Sequence, residues 1–349
     1  MSTSGKIRVL ELFSGIGGMH LALNELGIEY EVVAAVEIND MANRIYRHNF
    51  PSSNLLQKNI EGITAKQIAK FDPNMILMSP PCQPFTRSGL KQDVGDKRCL
   101  PLLHLMKIVP DLPRIEFILL ENVVGFEKSD ARNQLTDVLK KIGFCIQEFH
   151  LCPSQFNIPN KRPRYYMLAK RNSDFRFLSA QSLQTQFPED LIKEGGFLAE
   201  VHQKVVEKCD DPSSCFKIGK ILEEDSTENS SLAEKDLKFF MEFDLVGRES
   251  RLSGCFTKSY KRYFLGTGSI FLENFDRLKE VDTSTANYQA KLSETLKPRF
   301  FTSREILRLM CFPEWYTFPT DVSSKQAAAV LGNSINVHVV ALLIGLLVM

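Results

Sequence analysis

The run Met75-Ile76-Leu77-Met78 is followed by Ser79 and then by two prolines, Pro80 and Pro81, ahead of Cys82-Gln83-Pro84-Phe85-Thr86-Arg87. Four apolar residues in a row fit a short strand buried on both faces, as in a parallel sheet. Proline has no backbone N–H and cannot continue a ladder, so the chain has to leave the sheet before Cys82. A thiol is thereby placed on a loop beyond the carboxyl end of a strand, where open α/β sheets bind their ligands. A free cysteine often serves as a small inert hydrophobe. Proline, glutamine, threonine and arginine around this one make poor core, so Cys82 is read as a candidate nucleophile, with the inert thiol as the alternative.

The rest of the N-terminal half repeats strand, loop and helix. Ile7–Phe13 reads as a first strand, Ser14-Gly15-Ile16-Gly17-Gly18 as a glycine turn, and Met19, Leu23 and Leu26 recur at helical spacing up to Gly27. Such a turn lets backbone approach a nucleotide-type cofactor, although the third glycine of GxGxxG is missing and a tight structural turn fits as well. Tyr30–Val36 is a second strand closed by Glu37, at the distance from the turn where an acid holds ribose hydroxyls; a solvated glutamate is the alternative. Met41–Phe50 reads as a helix stopped by Pro51, and Asn59-Ile60-Glu61 stands near the end of a third strand, on the far side of such a pocket.

After the Cys82 loop, the polar stretch Gly89–Asp96 is either a mobile lid or an exposed connection, and Leu100–Val109 is helical. Ile115–Leu120 is a buried strand ending in Glu121-Asn122-Val123. A carboxylate at such an end is a candidate acid catalyst or a member of a buried hydrogen-bond network. Asp130–Ile142 reads as a helix, and Phe144–Leu151 and Tyr165–Ala169 as strands. Arg162 and Arg164, two residues apart in an extended stretch, point the same way and either grip a phosphate or base carbonyl or form a surface charge pair.

From about Asn172 the texture changes. Pro188–Asp244 leans acidic, with Glu223-Glu224-Asp225-Ser226-Thr227-Glu228 at its densest, and reads as a variable segment with helical parts and a disordered loop near Asp225–Ser231. Arg248–Phe264 is the opposite: Arg248, Arg251, Lys258, Lys261 and Arg262 alternate with Phe256, Tyr260, Tyr263 and Phe264. Basic groups among aromatics suit single-stranded nucleic acid; a solvated charged face is the alternative. With a net charge of only +1, nucleic-acid binding has to come from such a local patch. Gly266-Thr267-Gly268-Ser269 is a turn or loop, and a helix begins at Ser303.

Leu331–Asn336 opens an apolar C-terminal helix, Val337–Met349, which is shorter than the ~20 residues a membrane span needs. It is expected to be buried and to bring the chain back to the first sheet. The eight cysteines show no CxxC or zinc-ligand spacing, so no metal site is expected, and free thiols suit a reducing compartment. No GxxxxGK[ST] occurs, which argues against a P-loop enzyme.

Taken in order, Phe13-Ser14-Gly15-Ile16-Gly17-Gly18, Pro80-Pro81-Cys82-Gln83, Glu121-Asn122-Val123, Arg162-Pro163-Arg164, Arg299 with Thr302, and Gly332-Asn333-Ser334 resemble the cytosine-5 methyltransferase family. Ser79–Arg87, Cys255-Phe256-Thr257 and Asn333–Val340 are similar to the branch that acts on transfer RNA for aspartate. The resemblance implies an α/β fold, a doubly wound Rossmann-like mixed sheet, with a smaller target-recognition domain. The domains would be 1–171 (catalytic), 172–297 (target recognition with the acidic insert) and 298–349 (return to the catalytic domain). It also implies S-adenosylmethionine as methyl donor, S-adenosylhomocysteine as product, and a cytosine in a tRNA anticodon loop as substrate, with weak DNA binding. A monomer in the cytoplasm, and also the nucleus, is expected. Two stretches depart from the pattern: Asn59 stands where many relatives carry aspartate, and Lys97-Arg98-Cys99-Leu100-Pro101 differs from the usual continuation of the catalytic loop.

The implied roles follow from the chemistry. C5 of cytosine is a poor nucleophile until a thiolate adds at C6, and Cys82 would be that thiolate. Arg87 and Arg98 are candidates to stabilise it. Glu121 would bond N3 of the base, Asn122 would fix Glu121, and Arg164, with Arg162, would hold the base carbonyl or a flanking phosphate. The cofactor would lie on Phe13, Ser14, Gly15, Ile16, Gly17 and Gly18, with Glu37 on the ribose and Ile38 under the adenine. Asn59, Ile60 and Glu61 would form the opposite wall, and Ser79, Asn333 and Ser334 would lie near the methionine end. Arg87, Cys255, Phe256, Thr257, Lys258, Lys261 and Arg262 would meet the nucleic acid.

Overall fold

The computed structural model describes residues 6–81, 97–177, 183–224, 230–232, 234–263, 265–281 and 288–349. Cys82, Arg87, Gly89–Asp96, residues 225–229 of the acidic run and Phe264 lie outside the described residues. In chain order the elements are β1 (Ile7–Leu12), α1 (Gly18–Leu26), β2 (Tyr30–Glu37), α2 (Asp40–Asn49), β3 (Leu55–Gln57), α3 (Ala65–Phe71), β4 (Met75–Met78), α4 (Leu100–Ile108), β5 (Phe117–Val123), α5 (Asp130–Lys141), β6 (Phe144–Leu151), β7 (Arg164–Arg171) and β8 (Leu183–Gln184). There follow α6 (Asp190–Lys193), α7 (Phe197–Val206), β9 (Leu245–Val246), β10 (Ile270–Leu272), α8 (Tyr288–Leu296), β11 (Pro298–Arg299), α9 (Ser303–Leu309), α10 (Ser324–Gly332) and α11 (Val337–Val348).

The chain divides into two compact units: Met1–Leu151, Pro163–His202 and Val337–Met349 form the first, and Cys152–Arg162 with Gln203–Asn336 the second. The breaks thus fall at 151/152, 162/163, 202/203 and 336/337, where the sequence suggested 171/172 and 297/298.

The first unit is built on a mixed sheet in the order β3-β2-β1-β4-β5-β7-β6-β8. Strands β1 to β5 run parallel, and β7 is antiparallel to both β5 and β6. The strand order reverses between β1 and β4, the switch point at which such sheets open a crevice. Side chains alternate across a strand. Leu10, Ile76 and Ile118 therefore join Leu102 and Leu105 of α4 and Leu135 and Leu139 of α5 in one core. On the other face α11 packs against α1, β5 and β7. The expected buried helix is this α11, with Val337 to Leu347 all buried. At Gly345 an added Cβ would lie 2.5 Å from Leu198 Cδ2 and 2.7 Å from Phe197 Cε2, so α7 closes on α11 with no room for a side chain.

In the second unit β10 pairs parallel with β9 and antiparallel with β11. Arg299 on β11 donates to both carboxylate oxygens of Glu305, each at 2.9 Å. Glu305 in turn completes a capping box with Thr302 at the start of α9. A second capping box, Ser323 with Gln326, starts α10, a helix separate from α11 that the apolar pattern did not reveal.

Candidate active site

The parallel register sets the site. Leu12 pairs with Val36 and with Met78, and Met78 pairs with Leu120, so these four residues stand level across β1, β2, β4 and β5. The residues just beyond that row, Phe13 to Gly17, Glu37, Ser79 with Pro80, and Glu121 with Asn122, are brought to one edge of the first unit.

At the glycine turn, Gly15 and Gly17 take φ values of +53° and +87°, the left-handed region where a side chain is disfavoured, and Phe13 also takes +53°. Glu37 locks the turn to β2. Its Oε2 accepts the Gly15 N–H at 3.0 Å, and its Oε1 accepts those of Ile38 and Asn39, each at 2.8 Å. A carboxylate offers about four acceptor positions, so one remains open for a hydroxyl. Ser79 Oγ donates to the Phe13 carbonyl at 3.3 Å and ties β4 to the same turn. Ile16 and Gly18 are buried, whereas Ile38 is 63 % exposed. Ser14 Oγ is buried with no partner, and a Cβ built on Gly15 would meet nothing closer than the Phe13 carbonyl oxygen at 4.0 Å. An unsatisfied hydroxyl, open space over Gly15, a free acceptor on Glu37 and an exposed apolar side chain fit a nucleoside-bearing cofactor.

Asn59 accepts the Glu61 N–H at 3.2 Å and donates to Glu61 Oε1 at 3.1 Å, which leaves its oxygen one lone pair. Asn59 and Glu61 are exposed, and Ile60 turns into the core.

On β5, Asn122 is buried, donates to the Pro80 carbonyl at 3.3 Å and accepts the Val123 N–H at 2.9 Å. It thereby couples the strand that carries Glu121 to the segment leading into residue 82. Glu121 Oε1 lies 3.2 Å from Arg164 Nε, with both side chains largely buried. Not singled out from the sequence, Glu148 of β6 binds Arg132 of α5 and Tyr165 of β7. Tyr165 is the register partner of Asn122.

Arg162 departs from expectation. It is 2 % exposed and lies in the second unit. Its guanidinium donates to the carbonyls of Phe256 at 2.8 Å, Gly332 at 3.0 Å and Ser334, with Cys255 Sγ 3.4 Å away. It is committed to holding backbone. The expectation of base stacking is likewise corrected for Phe256 and Tyr260. Both are 1 % exposed, and their rings pack edge to face at 4.8 Å, so this aromatic spacing builds core. Thr257 is anchored through its N–H to the Thr267 carbonyl at 2.9 Å. Lys258, Arg262 and Tyr263 remain exposed and Lys261 half-buried. Ser334 is buried and Asn333 exposed, both beside Gly332, where a Cβ would lie 2.0 Å from the backbone of Thr257 and Lys258. Among the described residues no group of three or more His, Cys, Asp or Glu side chains is arranged to hold a metal ion.

Comparison with known proteins agrees with this geometry. Residues 7–347 match the family model described as C-5 cytosine-specific DNA methylase. The chain is 41 % identical to the tRNA (cytosine(38)-C(5))-methyltransferase of Spodoptera frugiperda, over 97 % of this chain and 98 % of the relative. It is 38 % identical to the Homo sapiens protein of the same name, over 98 % and 99 %. The crystal structure of a mutant Spodoptera frugiperda DNMT2 superposes with a TM-score of 0.84 at 40 % identity, covering 98 % of this chain and 99 % of that one. With the glycine turn, Glu37, Asn122 and the Glu121–Arg164 pair at one edge of a mixed methyltransferase sheet, the chain belongs to the C-5 cytosine-specific methyltransferase family.

Proposed function

We propose that this protein methylates C5 of a cytosine in the anticodon loop of a tRNA, aspartate tRNA first among them, through a transient bond between Cys82 and C6 of the base. The observation that carries the reading is the Glu121–Arg164 pair held level with the glycine turn, with Asn122 tied to Pro80 just before the thiol. S-adenosylmethionine, when bound, supplies an electrophilic methyl group. Gly15 and Gly17 would give it backbone access, Glu37 would take its ribose and Ile38 would lie against its adenine.

The thiolate of Cys82 adds to C6, and the electron pair displaced towards C5 makes that carbon the attacking atom. Glu121 donates a proton to N3, which draws electrons from the ring and favours the addition. Arg164 holds the Glu121 carboxyl in line and, through its guanidinium, holds the base carbonyl. Once C5 carries the methyl group and S-adenosylhomocysteine has left, loss of the C5 proton to a base and return of the N3 proton to Glu121 let the C6–S bond break, which releases the thiolate and restores the aromatic ring. The base has to leave its stack to reach this edge, which costs a few kcal/mol in a duplex and less in a loop. That difference supports a loop such as the anticodon loop, and the relatives' names support a tRNA cytosine as the target.

The family model's own description favours a second reading, DNA as substrate. Incubation with labelled S-adenosylmethionine and either total tRNA or duplex DNA separates the two: label in tRNA is expected, and label confined to DNA would overturn the choice. tRNA carrying 5-fluorocytosine should become covalently attached to the wild type and not to Cys82→Ala.

A further inference from the structure

Under the glycine turn lies a chain of three side chains that the reaction above does not use. Glu11 sits between Leu10 and Leu12 on β1, so it faces away from the α4–α5 core, and it is 1 % exposed. Its Oε2 is 2.9 Å from the Tyr46 hydroxyl of α2, and that hydroxyl is 2.8 Å from His20 Nδ1 of α1. Oε1 is buried with no partner. The His20 ring stacks on Phe50, with centroids 4.0 Å apart and planes at 7°. Gly17 rests on the same rings: a Cβ there would lie 2.6 Å from Phe50 Cε2 and 3.2 Å from Tyr46 Cδ2. The rings of this chain therefore form the floor of the turn.

Besides Ser53, the Tyr46 hydroxyl meets Glu11 and His20 and has one proton to give between those two, so that pair has two orderly arrangements. A neutral Glu11 donates to the phenol oxygen, which donates to a bare His20 Nδ1. An ionised Glu11 accepts from the phenol, and His20 Nδ1 has to carry the hydrogen instead. Burial pushes Glu11 up to about 8 and His20 down to about 4, so near neutrality the first arrangement holds. The titratable groups facing Glu11 are His20 from α1, Tyr46 from α2, and Tyr30 and Glu37 from β2, of which Glu37 further disfavours its charge. Ionisation places a charge on a buried carboxylate that only the Tyr46 hydroxyl and the His20 backbone N–H offset, and it swaps the histidine tautomer; both disturb the floor.

We propose that Glu11 is a positioning residue for the cofactor: through Tyr46 and His20 it sets the ring floor of the glycine turn, and its ionisation weakens cofactor binding. The proposal rests on the reading that the turn receives S-adenosylmethionine. Binding and ionisation are linked reciprocally, so a cofactor that seals the turn makes Glu11 harder to ionise, and ionised Glu11 binds the cofactor less well.

The test is calorimetric titration of the full chain with S-adenosylhomocysteine, which lacks the sulfonium charge, from about pH 6.5 to about pH 9. The wild type should lose affinity on the order of fivefold through a midpoint near the Glu11 titration. The ¹⁵N shifts of the His20 ring should report a tautomer swap at the same midpoint, and Glu11→Gln, a neutral isostere, should bind with no such loss. Tyr46→Phe keeps the ring and removes the hydrogen bond that favours ionised Glu11, so it should move the midpoint upward. The same pH dependence in Glu11→Gln, a flat wild-type profile, or an unmoved midpoint in Tyr46→Phe would overturn the proposal. Failure to bind at any pH would instead sink the cofactor reading itself, and the proposal with it.

Discussion

Glu121 and Arg164 meet on the same face of two antiparallel strands: Arg164 is the register partner of Val123, two residues on from Glu121, and Nε reaches Oε1 diagonally at 3.2 Å. Arg164 also donates to the Pro163 carbonyl at 2.8 Å, so its guanidinium is oriented before any substrate arrives. Arg164→Ala should lower kcat/KM for tRNA about a hundredfold while S-adenosylhomocysteine affinity stays within about twofold, since the cofactor turn lies on other strands. Steady-state kinetics with a parallel binding measurement checks this, and equal losses in both would assign Arg164 to the fold.

Arg162 is expected to behave in the opposite way. Its buried guanidinium satisfies three carbonyls, and Gly332 sits where no Cβ fits. Arg162→Ala should destabilise the second unit by about 3 kcal/mol, and Gly332→Ala by a similar or larger amount. Denaturant midpoints report this. An Arg162→Ala protein of normal stability and lost turnover would restore the catalytic role that its sequence position suggests.

Arg132 and Glu148 form a charge pair whose carboxylate is almost sealed from water, at 5 % side-chain exposure. Arg132→Ala strands that carboxylate beside Tyr165 and should cost about 3–5 kcal/mol. Replacing Glu148 by Gln at the same time should recover part of the loss, because no uncompensated charge then remains. Urea denaturation of the single and double variants measures both.

The Glu11 chain makes stability depend on pH in a calculable direction. Glu11 stays neutral up to about 8 in the folded chain, against 4.5 ordinarily, so the folded state holds the extra proton between those values and stability falls as pH rises through them. His20, held at about 4 against 6.5, lets the unfolded state take the extra proton, so its contribution is lost as pH falls from 6.5 towards 4. The two effects oppose each other below 6.5. Between pH 6.5 and 8 Glu11 acts alone, and the wild type should lose about 2 kcal/mol that Glu11→Gln does not lose. Thermal or urea unfolding at the two pH values decides it, and an identical slope in the variant would contradict the assignment.

Much of the first unit was legible because its signals are local. Apolar runs such as Met75–Met78, glycines at Gly15, Gly17 and Gly27, and the paired prolines each act on neighbouring residues, and β4, α1 and β6 follow them closely. Glu37 and Glu121 stood out because each closes an apolar run, and a strand end in a parallel sheet is a place in space. Long-range contacts were not legible. Arg162 and Arg164 differ by two positions, yet one is consumed by carbonyls some 94 to 172 residues away and the other by a neighbouring strand. Phe256 and Tyr260 carry the pattern of a stacking surface and are core, because nothing local says which way a loop aromatic turns. The Glu11–Tyr46–His20 chain joins three elements and has no linear signature. The helix α10 did have one: Ser323 and Gln326 stand at capping-box spacing.

The central claim is methyl transfer to a tRNA cytosine by way of the thiol of Cys82. Bisulfite sequencing of tRNA incubated with S-adenosylmethionine and the protein tests it most directly, since it reports substrate and position together. The account predicts one newly protected cytosine, in the anticodon loop, with the wild type and none with Cys82→Ala. No protected cytosine in any tRNA, or equal protection by the alanine variant, would contradict it.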